Sequence, residues 1–345
     1  MEVKSIWELK YKPKNIKEII GRDDLINNLI KLKDNGNIPH LMFIGPKGYG
    51  KLNCAILFAK ELLGDSFISN CKVVHASDPL TVEERAIVKQ ESYVSTKKIG
   101  SMAGKQFTWP AFLASRIKPF VEIKPIGEFP YKILIVNDFH TLESEQDGFR
   151  RLMEKYSEIC RMILITNQIS SIIDPILSRC MLFFFNQIDF NSYKNFISNV
   201  IKNENLKISD NDLYFLYIST NGKIGETLNL LQQISTKTSN ITTDSIHEYV
   251  RGSIKLEIKV LTKAILLGDL NLISTKLKII QSYGYDISTI LSEICNEIFN
   301  LPLNKYQKAT LINLLGDLDY QALNGSDEEL QLNNIIYQII SLMKK

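Results

Sequence analysis

An α/β sheet domain followed by two all-α domains is predicted from three observations. Five short apolar runs recur in the first half, helical patterns separate them, and beyond about residue 187 the strand signal disappears. The runs are "HLMFIG" (40–45), "CKVVHASD" (71–78), "KILIVND" (132–138), "RMILITN" (161–167) and "CMLFFF" (180–185). They are apolar throughout instead of alternating, as strands covered on both faces are. Strands alternating with helices form a doubly wound parallel sheet, whose ligand crevice lies beyond the strands' C-terminal ends. Gly45, Asp138 and Asn167 all fall at those ends.

Taken in chain order, the first run is followed by "KLNCAILFAKELLG", in which Leu52, Ala55, Ile56, Ala59, Leu62 and Leu63 share one stripe and Gly64 is the stop. More than fifty residues separate the second run from the third, and they include the polar, basic "SYVSTKKIGSMAGKQFTW" (92–109). A connection of that length in an α/β domain is expected to be a mobile surface loop. From "NSYKNFISNVIKNENLKI" onward the pattern is helical, with Ser209, Thr243 and Ser326 as expected caps before apolar periodic runs. The predicted division is a five-stranded sheet domain at 1–186, a small helical domain at 187–250 and a helical bundle at 251–345.

Composition narrows the function classes. With 45% apolar and 23% charged residues, the chain has the make-up of a soluble globular protein. A net charge of only +3 means that any nucleic-acid contact comes from local basic clusters. The five cysteines (Cys54, Cys71, Cys160, Cys180 and Cys295) contain no C-x-x-C pair and sit in apolar contexts. That spacing argues against zinc and against a disulfide framework, and for a reducing, intracellular setting. The N-terminal "MEVKSIWELKYKPK" lacks the apolar core of a signal sequence, and no apolar run approaches a membrane span.

The chemistry concentrates in "FIGPKGYGKLNCAILFAKELLG" (43–64). Gly45, Gly50 and Lys51 stand at the spacing G-x-x-x-x-G-K of a phosphate-binding loop, with Pro46 and Gly48 inside it. The glycines let backbone N–H groups close on phosphate oxygens, the following helix adds its positive end, and Lys51 supplies a full charge. The next position calls for a Ser or Thr hydroxyl on Mg²⁺, and here it is Leu52. The third strand calls for an acidic pair at its end, one carboxylate for the metal and one to activate water. "ILIVNDFH" offers Asn137 and Asp138, a neutral amide and a carboxylate one methylene short of Glu. A register shifted by one makes Asp138 the metal ligand but places Phe139 where the base belongs, so hydrolysis is impaired either way. Asn167 ends the fourth strand, where its amide can touch a γ-phosphate or position water, and Arg179 in "PILSRC" precedes the fifth. An arginine on that rim can reach a neighbouring subunit's phosphate.

Taken together, these residues resemble the small subunits of replication factor C, the sliding-clamp loader, within the AAA+ ATPases. "WELKYKPKNIKEIIGRDDLINNL" is similar to the family's opening, where a W-x-x-K-Y-R-P element packs near adenine, which implicates Tyr11. "IPHLMFIGPKGYGK" resembles its phosphate loop, and "FRRLMEKYSEICRMILITNQISSIIDPILSRC" its stretch from central helix through sensor asparagine to S-R-C finger. "GYDISTILSEI" and "LNGSDEELQLNNIIYQI" resemble the collar helices that form the ring. The departures cluster. Leu52 replaces the loop Thr, Asn137–Asp138 the D-E pair, and Gly225 of "GKIGETLNLLQ" the lid arginine of a G-D-M-R-R-A-L-N stretch. Lys51, Asn167 and Arg179 remain.

The resemblance implies a small AAA+ subunit with a sheet domain, a lid domain and a collar domain, loading the clamp PCNA onto primer–template DNA with other replication factor C subunits. ATP or ADP is expected to bind passively, without need of Mg²⁺, while Arg179 and Asn167 carry the catalytic roles, Arg179 in trans. Alternatives are an active AAA+ ATPase in which Asp138 alone holds metal, or a structural subunit that binds no nucleotide. The site would be nuclear if the chain is eukaryotic and cytoplasmic if archaeal. Candidate DNA contacts, which hold phosphates without reading sequence, are Arg116, Lys118, Lys97, Lys98, Arg150 and Arg151, with Lys105 beside them in the long loop. Phe120, Val121, Ile123 and Phe129 are the candidate clamp-gripping patch, core packing being the alternative.

Overall fold

The computed structural model describes residues 6–79, 81, 82, 84, 112–127, 129–250, 254–282, 287–300, 304–324 and 334. They fall into two compact units, Met1–Ser235 and Thr236–Lys345. The first holds a five-stranded sheet of β1 (His40–Ile44), β2 (Cys71–His75), β3 (Lys132–Asn137), β4 (Cys160–Thr166) and β5 (Cys180–Phe184). Every pairing is parallel, in the order β2-β3-β4-β1-β5.

Alternate residues of the central strands feed two separate cores, one on each face. Met42, Leu134, Val136, Met162 and Leu164 face a layer that includes Leu113, Ile117, Phe149, Leu152 and Ile176. Leu41, Phe43, Ile133, Ile135, Ile163 and Ile165 face Ile26, Leu29, Ala55, Phe58 and Leu62. Each large apolar side chain removed from water there contributes roughly 1.5–3 kcal/mol, which explains why these runs do not alternate. The edges differ. On β5 Phe183 and Phe185 are buried and Cys180 and Leu182 pack against the opposite core, but Met181 and Phe184 are exposed, so the end strand "CMLFFF" is only partly covered.

Helix α1 (Trp7–Lys10) opens the described chain, followed by α2 (Asp23–Asp34) and α3 (Lys51–Leu63). Gly50 precedes α3 at φ 78°, and Gly64 closes it at φ 50°, both in the left-handed region that glycine tolerates. Helix α4 (Gln146–Lys155) joins β3 to β4, and the single turn α5 (Asp174–Leu177) joins β4 to β5. Three more helices follow β5: α6 (Phe190–Asn203), α7 (Asp210–Ser219) and α8 (Ile224–Ser235). Asp189 caps α6 and Ser209 caps α7, each accepting a backbone N–H three residues on. The N-terminal segment is tied to this helical part. Trp7 N–H donates to Gln232 Oε1 at 3.0 Å, and Tyr11 Oη and Lys10 Nζ both donate to Glu204 Oε1 at 2.6 Å.

The second unit holds α9 (Thr243–Val250), α10 (Ile254–Leu267), α11 (Leu270–Ser282), α12 (Ile287–Asn300) and α13 (Lys305–Asn324). Ile258, Leu261, Ile265, Leu277, Ile294 and Leu315 are among its buried residues. The expected cap moves by one residue. Thr243 is already helical, and Thr242 Oγ1 accepts from Ser245 N–H while Ser245 Oγ accepts from Thr242 N–H. Two-residue strands at Lys207–Ile208 and Asn240–Ile241 are too short to leave a periodic signal. Ser326 and the 92–109 segment lie outside the described residues. Among the described residues no helix is long and apolar enough to cross a membrane.

Candidate nucleotide-binding site

Where β1 and β4 run side by side, their C-terminal ends and that of β3 open into a cavity of about 530 Å³. It is lined by the α1 segment, the glycine loop, the β3 and β4 ends and the start of α8. Gly45 has no room for a side chain, since a Cβ there would sit 2.4 Å from the Phe185 carbonyl oxygen. Gly48 and Gly50, at φ 86° and 78°, turn the loop back toward α3.

Lys51 is buried at the loop's exit and donates to the carbonyls of Gly45 and Pro46 (2.6 Å to the latter) and to Asn167 Oδ1 at 2.9 Å. Burial pushes its pKa down to about 8, against the pull of Asp138. All three acceptors are neutral. The other end of the Asn167 amide, Nδ2, is buried without a partner. A buried ammonium without a paired carboxylate, next to an unmet N–H donor, is a set that an anionic oxygen completes.

Arg22 is a cation that the sequence does not single out. It is buried at the N-cap of α2, donates to Tyr49 O of the loop at 3.1 Å and to Asn186 O at 2.9 Å, and lies 4.7 Å from the Phe185 ring centroid. Burial lowers its pKa, and it too lines the cavity. Nothing in "IIGRDDL" distinguishes it from a solvated arginine beside two aspartates. Tyr11 lines the opposite wall with Lys12 and Pro13.

The other side of the cavity has different chemistry. Leu52 lines it from the first turn of α3 and packs against the Phe43–Phe58 core. Asn137 Nδ2 donates to Asp138 Oδ2 at 3.0 Å and lies 3.2 Å from His75 Nδ1. Ser77 Oγ donates to the same Asp138 oxygen at 3.2 Å, and Asp138 itself sits at φ 54°. Gly225 lines the cavity from α8, where an added Cβ would lie 3.3 Å from Glu8 Oε1. Mg²⁺ takes near-octahedral oxygen ligands, commonly one or two carboxylates with substrate phosphates. The catalytic positions offer an aliphatic side chain, an amide and one carboxylate already holding two donors. The loop side therefore suits an anion held by cations and N–H groups, whereas this side offers a Mg²⁺ ion one carboxylate.

Arg179 stands apart from the cavity lining, exposed one residue beyond the Ser178 that ends α5. Its Nη1 donates to Pro175 O at 2.7 Å and its Nη2 to Glu154 Oε1 at 2.6 Å. Arg150 Nη1 donates to that same carboxylate oxygen at 2.9 Å, and Arg151 is exposed beside it on α4.

Two groups of expected surface residues are corrected. Arg116 is no phosphate contact, because its five N–H groups meet Glu84 Oε1 and Oε2 and the carbonyls of His75, Asp78 and Pro79. It ties down the exit of β2, and the paired guanidinium holds the Glu84 carboxyl down at about 2. Lys118 is half-buried, and Lys97, Lys98 and Lys105 lie outside the described residues. Nor do the four candidate clamp residues form one exposed patch. Val121 is fully buried, Phe120 is half-buried beneath the Lys132 ammonium, and Phe129 packs against the core and the Tyr131 ring. Ile123 is 60% exposed, and its exposed apolar neighbour is Ile126.

This sheet order, with a glycine loop between β1 and α3 and a helical part after β5, defines an AAA+ fold. The solved RuvB Holliday junction branch migration motor of Thermotoga maritima shares it, with a TM-score of 0.50 and 15% identity over 78% of this chain and 85% of that one. The replication factor C C-terminal domain family matches residues 255–338, and the DNA polymerase III delta subunit family matches 21–189. A replication factor C small subunit from Methanocella arvoryzae is 30% identical over 96% of this chain and 95% of its own length. Another, from Archaeoglobus fulgidus, is 30% identical over the full length of both. The chain belongs to the replication factor C small subunit family.

Proposed function

We propose that this chain is a small subunit of a clamp-loading ring that holds ATP or ADP without hydrolysing it and lends Arg179 to the neighbouring subunit's nucleotide. The observation that carries this reading is the divided character of one cavity. Lys51, Arg22 and the open N–H of Asn167 stand on the loop side, while Leu52 and Asn137 occupy the positions that would hold metal, the shortened Asp138 that of the base and Gly225 that of the lid cation. Anion binding needs the first set only. Hydrolysis needs the second as well.

Arg179 fits its part because a finger works through its own charge and requires no chemistry in its own subunit. Its present partner Glu154 is exposed, and an exposed ion pair is readily exchanged for a phosphate. The family assignment supports a ring of replication factor C subunits that places PCNA on primer–template DNA. The sheet domain is 1–186, the lid 187–250 and the ring-forming collar 251–345. Lys118, Arg150 and Arg151 are the described candidates for sequence-independent phosphate contacts.

Purified chain incubated with radiolabelled ATP, with and without Mg²⁺, tests this reading. The label is expected to stay bound and unhydrolysed in both conditions. Turnover that Lys51→Ala abolishes would instead identify an active ATPase using Asp138 alone, and no retained label at all would identify a structural subunit.

A further inference from the structure

Gly225 leaves α8 without a side chain to point at bound phosphates, yet a cation stands two residues earlier, at the N-cap of the same helix. Thr227 N–H donates to the Lys223 carbonyl, which makes Lys223 the residue from which α8 begins. The aliphatic stem of Lys223 lies across the glycine loop. A Cβ built on Gly48 would come within 2.9 Å of its Cδ and 3.5 Å of its Cε. The turn before it is tied to the same loop, since Tyr49 Oη donates to the Asn221 carbonyl at 3.1 Å. Gly222, Ile224 and Gly225, on either side of Lys223, all line the cavity. The ammonium is held by Glu226 Oε1 at 2.6 Å, a pair whose carboxylate partner is half-exposed.

We infer that Lys223 is the lid cation of this site, trading Glu226 for the terminal phosphate of bound ATP. The stem of Lys223 is already seated on the loop, so the exchange is a movement of the ammonium end of the side chain. The terminal phosphate carries more negative charge than one partly solvated carboxylate, so the exchange favours the ligand. The terminal phosphate is the group a lid contact adds, so Lys223 makes the site prefer ATP over ADP. Gly48 fits the same arrangement, because any side chain there would collide with the Lys223 stem.

The inference rests on the nucleotide-binding reading above, and the experiment separates the two. Equilibrium binding of fluorescent ATP and ADP analogues to the full chain at low salt is compared for wild type, Lys223→Met and Lys223→Arg. The methionine keeps the stem over Gly48 and removes the charge. Lys223→Met is expected to weaken ATP binding about tenfold, the loss of one charge-assisted hydrogen bond, with a smaller change for ADP, and Lys223→Arg to retain the preference. Wild-type binding with an unaltered Lys223→Met would overturn the inference and leave the nucleotide reading intact. If the wild type bound neither nucleotide, both would fall. Should Lys223→Met fail to fold, Glu226→Gln decides, since freeing the ammonium is expected to tighten ATP binding two- to threefold. Unchanged or weaker binding in that variant would overturn the inference.

Discussion

The two sides of one cavity have been built from different kinds of residue. On the loop side two buried cations face neutral acceptors, Lys51 on the Gly45 and Pro46 carbonyls and Arg22 on Tyr49 O. On the β3 side the polar groups answer one another, Asn137 and Ser77 closing on Asp138, while Leu52 has joined the core. The first arrangement waits for an anion. The second is already satisfied. Under the function proposed above, binding and hydrolysis depend on separable residues, so that a subunit can lose one while keeping the other.

The most severe way to break this comparison is at Arg179. In a reconstituted ring, Arg179→Ala is expected to lower DNA-stimulated ATP turnover at the neighbouring site by about 10³-fold or more, with nucleotide binding by the variant chain itself unchanged. Steady-state phosphate release and filter binding measure the two quantities. Equal loss of both, or of neither, would show that the residue serves its own site or none.

Next in size is Lys51→Ala. It removes a buried ammonium whose bonds to a phosphate are of the charge-assisted kind, worth about 1.5–3 kcal/mol, so nucleotide affinity is expected to fall roughly 10–100-fold. Asp138→Asn, on the satisfied side, is expected to change affinity less than twofold in titration calorimetry. Comparable losses from the two variants would mean that the two sides act as one site.

Restoring the second side sharpens the same point. Leu52→Thr, Asn137→Asp, Asp138→Glu and Gly225→Arg together are expected to introduce Mg²⁺-dependent turnover at least tenfold above any single replacement, because metal, base and lid act as one unit. Additive small gains from single variants would argue that the native site is merely slow.

How much of this was legible beforehand depends on which physical force places each residue. The central strands were legible because burial on both faces leaves an unbroken apolar run; Gly45, Asp138 and Asn167 were read from their positions at strand ends and Lys51 from the spacing of the glycine loop. Phe184 was not, since an apolar run cannot show which residues of an end strand are left uncovered. Arg22 and Arg116 look alike in sequence, as basic residues near acidic or polar neighbours. Only folding shows that one is seated in the phosphate cavity and the other is saturated by Glu84 and three carbonyls. Val121 and Ile123 stand two residues apart in "PFVEI", yet one is core and the other solvent, because the short helix at Lys118–Val121 ends between them. Long-range packing decides these cases, and no local pattern encodes it.

The smallest effect is also the most direct check on the loop side alone. Burial depresses the Lys51 pKa from its ordinary value to about 8 in the empty chain, and a bound phosphate raises it again. Nucleotide affinity is therefore expected to be flat below pH 8 and to fall by up to tenfold per unit above it, as binding must then take up a proton. Folding stability of the empty chain runs the other way. The unfolded chain keeps the Lys51 proton up to its ordinary pKa of 10.5, whereas the folded chain releases it from about pH 8. The penalty for burying the charge is thus full below pH 8 and fades as pH rises toward 10.5. Opposite slopes of affinity and stability across that window, both removed by Lys51→Met, would trace the two effects to a single ammonium. Parallel slopes would place the anion site elsewhere in the molecule.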